Sequence, residues 1–220
     1  MEYKGIKIEW LHHDCFRIEK DGLIIYTDPY KVQNIYGDAD IILITHDHYD
    51  HCDPESINKL VKRDTAIVAQ KDCKDKLGDF SQTKIFVSPN EVKIVKGVSI
   101  RTVPSYNTNK FRSPGEVFHP KEKGNVGYIF IVFGVKFYLA GDTDFIPEMR
   151  DIKVDVAFLP VSGIYVMTDK ESAEAAIAMK PDLVVPMHYG SGIGSEENAN
   201  KLRENLRGKI KVEILTSIEK

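Results

Sequence analysis

The stretch "ILITHDHYDHCD", residues 42–53, joins a short apolar run to a cluster of histidines. Three of the seven histidines in the chain, His46, His48 and His51, fall within six residues. The apolar run predicts a strand buried on both faces, and side chains two residues apart share one side of a strand. His46 and His48 can therefore converge on one ion. Imidazole together with carboxylate suits Zn²⁺, Fe or Mn²⁺, so we predict a metal site at the end of this strand.

A helix is predicted directly after the cluster. Asp53 is typical of an N-cap and Pro54 of the first helical position. Asp50 and His51 then lie in the turn before the helix, where they can face a second ion close to the first.

Composition restricts the class of protein. The chain has 220 residues, 42% of them hydrophobic, and no linker-like or low-complexity tract divides it, so we predict one domain spanning residues 1–220. The net charge of −3 disfavours a nucleic-acid or polybasic membrane binder. The first residues lack a signal-peptide pattern, and three widely spaced cysteines argue against a disulfide scaffold. We expect a soluble, cytoplasmic protein.

Two segments have the same pattern. "GLIIYTDPY" (22–30) and "GVKFYLAGDTDF" (134–145) each contain a glycine, an apolar strand with a tyrosine, and an aspartate at the strand exit. The same order of strands and helix follows each segment. This indicates two packed βα units, with two sheets inside and helices outside, that is, an α/β fold.

The run "THDHYDH" (45–51) resembles the signature of the metallo-β-lactamase superfamily, and the resemblance covers nearly the whole chain. It implies a four-layer αβ/βα sandwich of two repeated halves, in agreement with the duplicated segments. Family motifs follow in order, with Asp28 at the first motif, Asp142 at the bridging aspartate and His188 at the last histidine ligand.

The resemblance also implies two divalent metal ions, most simply zinc, with manganese or iron as options. A first ion would take His46, His48 and the bridging Asp142. A second ion would take the residues that match the other family ligands, namely Asp50, His51, Asp142 and His188. Asp28 would lie behind the ligands and fix a histidine ring.

One motif departs from the family. A histidine is expected after a strand near residue 107, but the stretch "VPSYNTN" (103–109) has Asn107 there, and no histidine occurs between His51 and His119. Asn107 can leave the first ion with fewer ligands, His119 can replace the missing ligand, or one ion alone binds. We favour His119 or a water as the ligand that completes the first site.

Two further stretches resemble a subgroup that includes the ascorbate-6-phosphate lactonase and phospholipase D-like members. "WLHHDCFRIE" (10–19) places His13 at a histidine of that subgroup, which we interpret as lining the site or lying behind it and not as a primary ligand. "LPVSGIYVMTDKESAEAA" (159–176) implies that Tyr165 approaches the metal centre from a loop.

A long polar stretch, residues 104–125, is typical of a functional loop. Tyr106, Lys110 and Arg112 lie in it and can contact an anionic substrate, although a solvated basic loop is the alternative.

These observations favour a hydrolase that uses a metal-activated water on a small ester, lactone or phosphoester, with His48 and Asp50 as catalytic residues. The expected partner is a small molecule, which can be anionic, and not nucleic acid or a membrane. The alternatives are a metal-binding protein without turnover and a metal-dependent nuclease. The sequence leaves the oligomeric state open.

Overall fold

The computed structural model describes residues 1–190 and 192–219. Within these residues the strands form two seven-stranded sheets and one short hairpin. The strands of the first sheet are β1 Glu2–Tyr3, β2 Ile6–His12, β3 Cys15–Lys20, β4 Leu23–Thr27, β5 Ala39–Ile44, β6 Val61–Gln70 and β7 Thr83–Val87. The remaining strands are β8 Val92–Val95, β9 Val98–Pro104, β10 Phe111–Ser113, β11 Glu116–Val117, β12 Val126–Val132, β13 Val135–Leu139, β14 Val156–Pro160, β15 Leu183–Met187 and β16 Lys211–Val212.

The two large sheets repeat one topology. In the first sheet β1 to β4 pair antiparallel and β4 to β7 pair parallel. In the second sheet β8, β9, β12 and β13 pair antiparallel, and β13 to β16 pair parallel. β10 and β11 form the separate hairpin, inside the polar stretch 104–125. The repeated halves predicted from the duplicated segments are therefore confirmed.

Helices lie on the outer face of each sheet. The described α-helices are α1 Pro54–Leu60, α2 Asp169–Met179 and α3 Glu196–Asn205. Apolar residues of α1, Ile57 and Leu60, pack against the outer face of the first sheet. A second core fills the space between the sheets and extends to α2 and α3. These layers confirm the αβ/βα sandwich.

Local sequence signals set the helix starts. The Asp53 carboxylate accepts hydrogen bonds from the backbone N–H groups of Glu55 and Ser56, and Pro54 takes the first helical position. α2 begins with a capping box between Thr168 and Glu171. None of the helices within residues 1–190 and 192–219 is long and apolar enough to cross a membrane.

The strand order determines where the polar residues collect. Asp28 follows β4, His46 follows β5, Asp142 follows β13 and His188 follows β15. These four strands belong to the parallel parts of the two sheets, and their carboxyl ends meet at one edge of the sandwich. Polar groups that follow parallel strands are well placed to form a site at such an edge.

Candidate active site

Two four-residue clusters of potential metal ligands lie at this edge, and a third group, Asp14, Asp28 and His51, lies beside them. In the first, ligand atoms of His46, His48, His119 and Asp142 all lie within 4.8 Å of one another. His119 is buried, and its Nε2 lies 3.2 Å from His48 Nδ1 and 3.3 Å from Asp142 Oδ2. Four ligand atoms at this spacing suit a tetrahedral divalent ion. The structure thus places His119, and not Asn107, among the potential ligands.

The second cluster contains His13, Asp50, His51 and His188, again within 4.8 Å. The sequence analysis interpreted His13 as a residue beside or behind the ligands, but the structure places its ring among them. Its ring centroid is 4.2 Å from that of His188, and its Nε2 is 3.5 Å from Asp50 Oδ2. An irregularity in the pairing of β2 with β3, and a left-handed backbone at His13 (φ 51°), turn the side chain towards the edge of the sheets.

The carboxylate of Asp142 lies between the two clusters. Oδ1 is 3.2 Å from His51 Nε2 and 3.4 Å from His188 Nε2. Oδ2 faces the other cluster, at 3.3 Å from His119 Nε2 and 3.8 Å from His46 Nε2. Each oxygen of one carboxylate therefore points to a different set of histidines, as a bridging ligand requires.

Hydrogen bonds fix the tautomers of the histidines in the first half. The Thr45 hydroxyl donates to Asp28 Oδ2 at 2.7 Å, so its oxygen can accept from His46 Nδ1 at 3.0 Å. His51 Nδ1 lies 2.9 Å from the same Asp28 oxygen, and we assign it as a donor because an ionised carboxylate only accepts. Asp28 lies behind the ligands, as the resemblance implied. In both rings Nε2 is left with a free lone pair towards the clusters.

In the second half of the chain, a hydroxyl group likewise fixes the tautomer of a histidine. The Ser162 hydroxyl lies 3.2 Å from the carbonyl of Ile164, to which it donates, and 3.0 Å from His188 Nδ1, from which it can accept. This leaves the lone pair of His188 Nε2 facing Asp142. The roles of Thr45 and Ser162 were not predicted from the sequence. Thr45 precedes the first clustered histidine, but Ser162 lies 26 residues from His188, and no local pattern links the two.

Asn107 orients His119. Its amide Nδ2 donates to the backbone carbonyl of Tyr165 at 2.8 Å and to Asp144 Oδ1 at 3.2 Å. Since both acceptors are unambiguous, the other amide atom is Oδ1. It accepts from the backbone N–H of His119 at 2.9 Å and lies 2.8 Å from His119 Nδ1. His119 Nδ1 therefore carries the proton, and Nε2 is available to a metal.

The potential ligand atoms of each cluster suit a divalent metal ion. Among the described residues, the buried atoms without a hydrogen-bond partner include Nε2 of His13, His46, His51 and His188, and Oδ1 of Asp142. Leaving a buried polar atom unpaired costs about 1–3 kcal/mol, so several unpaired atoms that face one another need a partner. Nitrogen lone pairs and a carboxylate are the ligands that zinc, manganese and iron accept.

The pKa values agree with cation binding. Burial lowers the pKa of His46 well below its usual value, and burial lowers that of His119 to about 4, so both rings are neutral at pH 7. Burial opposes charge on Asp142 and Asp50, but neighbouring histidines outweigh it and hold both pKa values below the usual range. Burial also opposes charge on His51, yet Asp142 and Asp28 raise the pKa of His51 well above its usual value, so this position favours a cation and a metal ion would displace the proton from Nε2.

Three residues of the site have a left-handed backbone. Besides His13, Asp28 has a φ of 32° and His188 a φ of 58°. This conformation is unfavourable for residues with a side chain, by about 1–3 kcal/mol each, and it concentrates at functional sites. The fold therefore holds these side chains in position at a cost in stability.

A cavity of about 280 Å³ opens beside the clusters. Its walls include His48, Asp50, His119 and Asp142, together with Arg112 and Tyr165 from the predicted substrate loops. Tyr49, Phe118 and Ile193 complete the lining, and the sequence analysis did not assign them.

Two predicted substrate contacts lie elsewhere. The Tyr106 ring is buried, and its hydroxyl donates to Glu148 at 3.0 Å. The Lys110 ammonium group binds Glu171 at 2.9 Å and lies 3.3 Å from Asp144. Both side chains use their polar ends inside the fold and do not line the cavity. The loop folds inwards at these positions, and the assignment of Tyr106 and Lys110 to the substrate stays a prediction from the sequence.

Comparison with known proteins identifies the family. A family model described as the beta-lactamase superfamily domain matches residues 7–188. The chain belongs to this superfamily.

Its relatives within the superfamily include two archaeal proteins named UPF0173 metal-dependent hydrolases. The protein from Thermococcus onnurineus is 32% identical over 203 residues, which are 84% of this chain and 85% of that protein. The protein from Thermoplasma acidophilum is 29% identical over 201 residues, 86% of this chain and 85% of that protein. A crystal structure from Parabacteroides distasonis, designated a metal-dependent hydrolase, has 34% identity and a TM-score of 0.84, and it covers 96% of this chain and 93% of its own. The chain is therefore a member of a metal-dependent hydrolase family.

Proposed function

We propose that this protein hydrolyses a small ester, lactone or phosphoester with two divalent metal ions held between the sheets. The observation that carries the proposal is the pair of four-residue clusters joined by the Asp142 carboxylate, beside an open cavity. When bound, two such ions would lower the pKa of a water and polarise the bond under attack. The subgroup resemblance to the lactonase, zinc as the native metal, and a cytoplasmic location remain predictions from the sequence.

The side chains of this site have separate roles in the proposal. Asp142 positions both clusters through its two oxygens. Asp50 lines the cavity and is ionised, so one of its oxygens can accept a hydrogen bond from the attacking water and orient it. His48 is the exposed ligand at the mouth of the cavity, where substrate enters.

The reaction consumes one water. The bond between the carbonyl carbon, or the phosphorus, and the leaving oxygen breaks, and the water supplies the new oxygen. One proton of the water goes to the leaving oxygen, so that an alcohol and an acid are released.

Hydrolysis of a lactone panel and of a generic phosphodiester by the purified protein tests the activity, with Zn²⁺, Mn²⁺ or Fe²⁺ added. We expect at least one metal to support turnover that His48→Ala reduces by 100-fold or more, about 2.7 kcal/mol of transition-state stabilisation. The matched control is His12→Ala, because the ring of His12 faces Gln33 and Glu219 and lies in neither cluster. If no metal supports hydrolysis that depends on His48, the protein binds metal without turnover. Cleavage of single-stranded RNA in place of the small substrates would assign a nuclease.

Elemental analysis tests the number of ions. We expect two ions per chain in the wild type and fewer than two in His119→Ala. One ion per chain in the wild type would contradict the dinuclear site. Two tightly bound ions in His119→Ala would remove His119 from the ligand set.

A further inference from the structure

The cavity beside the clusters has an apolar wall that packing does not require. Tyr49 is 64% exposed, although it is a large aromatic residue at the rim. Phe118 and Tyr165 meet edge to face, with ring centroids 4.5 Å apart, and Ile193 completes this side. Exposed aromatic side chains around a concave site are typical of a surface that binds the apolar part of a ligand.

The backbone of Tyr165 supports this assignment. Its φ is 68°, a left-handed conformation that is unfavourable for an aromatic residue. The hydrogen bond from Asn107 to the Tyr165 carbonyl holds it, and the same Asn107 orients His119. The fold thus fixes one aromatic wall of the cavity and one potential metal ligand through a single side chain.

One cationic side chain lines the same cavity. Arg112 lies on the β10–β11 hairpin and also lines an adjoining cavity of about 220 Å³ that shares His48 with the first. Its nearest carboxylate is Glu116 at 3.7 Å, and the two side chains are 58% and 59% exposed. An exposed ion pair of this length contributes little, so the guanidinium group is available to another anion. Lys110, the neighbouring cation of the loop, is already paired inside the fold.

The size of the cavity limits the ligand. A volume of about 280 Å³ accommodates a small molecule. A larger hollow of about 480 Å³ lies against β9 and β12, but none of the clustered histidines lines it.

Resting on the proposed hydrolysis, we infer that the substrate is a small amphipathic anion. Its aromatic or aliphatic part packs against Tyr49, Phe118 and Tyr165, and its carboxylate or phosphate group binds Arg112. Arginine suits this role because its planar fork matches both anions with two parallel hydrogen bonds. The scissile bond then lies next to Asp50 and Asp142.

Three acetyl esters test the inference: 4-acetoxybenzoate, 4-acetoxyphenylphosphonate and the neutral 4-acetoxybenzamide. They share the ring and the single scissile bond, and the first two distinguish a carboxylate from a phosphonate that stands for a phosphate. We expect Arg112→Gln to lower kcat/KM on the preferred anionic ester by about tenfold or more, because a hydrogen-bonded charge is lost. On the amide we expect a loss below about threefold, since no charge is involved. Arg112→Lys keeps the charge and should retain part of the preference.

The control is Arg207→Gln, because Arg207 is an exposed arginine that pairs with Glu204 on the surface and lines neither cavity. It should leave all three rates at the wild-type level. Equal losses on the anionic and neutral esters in Arg112→Gln, or no loss, would overturn the inference.

A binding measurement separates this inference from the proposed function. Calorimetric titration of the metal-loaded protein with 4-hydroxybenzoate, 4-hydroxyphenylphosphonate and 4-hydroxybenzamide needs no turnover, because none of these compounds contains an ester bond. If the wild type hydrolyses neither the acetyl esters nor the lactones and the phosphodiester, the proposed function fails. Arg112→Gln should still weaken binding of an anionic ligand about tenfold relative to the amide. An equal effect of Arg112→Gln on the binding of all three compounds would overturn the inference independently of activity.

Discussion

Replacement of Asn107 by leucine tests how the first cluster is built. Leucine has a similar size but neither donates nor accepts a hydrogen bond. The variant loses the bond between Asn107 Oδ1 and His119 Nδ1, which is 2.8 Å long in the wild type. Among the described residues, no other hydrogen bond to His119 Nδ1 then fixes the tautomer of the ring.

The size of the effect follows from the bonds lost. A neutral hydrogen bond contributes about 1 ± 0.5 kcal/mol, and loss of a partner behind a metal ligand typically lowers metal affinity about 10- to 100-fold. Only one of the four residues of the first cluster depends on Asn107. We therefore expect the lower limit, a loss of about tenfold or 1.4 kcal/mol in affinity at the first cluster. The second cluster shares no hydrogen bond with Asn107 and should change by less than about twofold.

Titration with Co²⁺, followed by visible absorption and repeated in competition with a chelator, gives the affinity of each site. The matched control is Asn109→Leu, because Asn109 lies in the same loop and its side chain bonds Glu171, not a potential ligand. Circular dichroism checks that the variants are folded, since Asn107 is buried and its loss also leaves the Tyr165 carbonyl without a donor. Unchanged affinity in folded Asn107→Leu, or the same loss in Asn109→Leu, would refute the role assigned to Asn107.

Three further predictions concern stability. In chemical denaturation, Gly141→Ala should lower the free energy of unfolding by about 2 kcal/mol more than Gly134→Ala does. Both glycines have positive φ, so the backbone strain is similar in the two variants. A Cβ at Gly141 would lie 3.0 Å from Thr45 Cβ, whereas a Cβ at Gly134 meets nothing within 4 Å. An equal effect of the two substitutions would show that contact with Thr45 is unimportant. Removal of metal by a chelator should lower Tm, because an ion that binds only the folded state adds about 2.7 kcal/mol to the free energy of unfolding when its free concentration is 100 times its Kd. The same Tm with and without chelator would show that the ions do not stabilise the fold. Burial opposes the charge on Glu171, but its bonds with Lys110 outweigh this and lower its pKa from 4.5 to about 2. The folded state then binds fewer protons than the unfolded state, so the contribution of Glu171 to stability is present above pH 4.5 and lost as the pH falls towards 2. Glu171→Gln should therefore flatten the dependence of the free energy of unfolding on pH in this range. An unchanged slope would contradict the assignment.

The metal cluster was predictable from the sequence because its first elements are local. His46, His48, Asp50 and His51 lie within six residues after one strand, and the rings of the first two have centroids 4.6 Å apart. The start of α1 was equally local, since Asp53 caps a helix whose first residue is Pro54. Duplicated segments predicted the two halves of the sandwich before any contact between them was known.

The loop after β9 contains a feature that local sequence patterns could not predict. The sequence revealed that a histidine was missing at residue 107, but three interpretations remained. The structure brings His119 into the first cluster and so supports the interpretation in which His119 is the ligand: Asn107 N–H donates to the His119 carbonyl at 2.8 Å, and His119 N–H donates to Asn107 Oδ1. These contacts form only when the eleven intervening residues fold back as a hairpin.

Nothing in the sequence distinguished between two cationic side chains of that loop. Lys110 and Arg112 are both cations two residues apart, yet Lys110 turns towards Glu171 and Asp144, whereas Arg112 lines the cavity. Which of them is free depends on carboxylates more than thirty residues away.

The sequence by itself determined the kind of chemistry, because histidines and aspartates at strand ends define the ligand types and their order along the chain. Only the tertiary structure decided which atoms meet: that His13 joins the second cluster, that His119 joins the first, and that Thr45, Asn107 and Ser162 hold the rings behind them. The physical reason is the distance along the chain between the residues that interact. Backbone periodicity fixes neighbours a few residues apart, whereas the orientation of an imidazole depends on hydrogen-bond partners that only the packed sheets and folded loops bring within 3 Å.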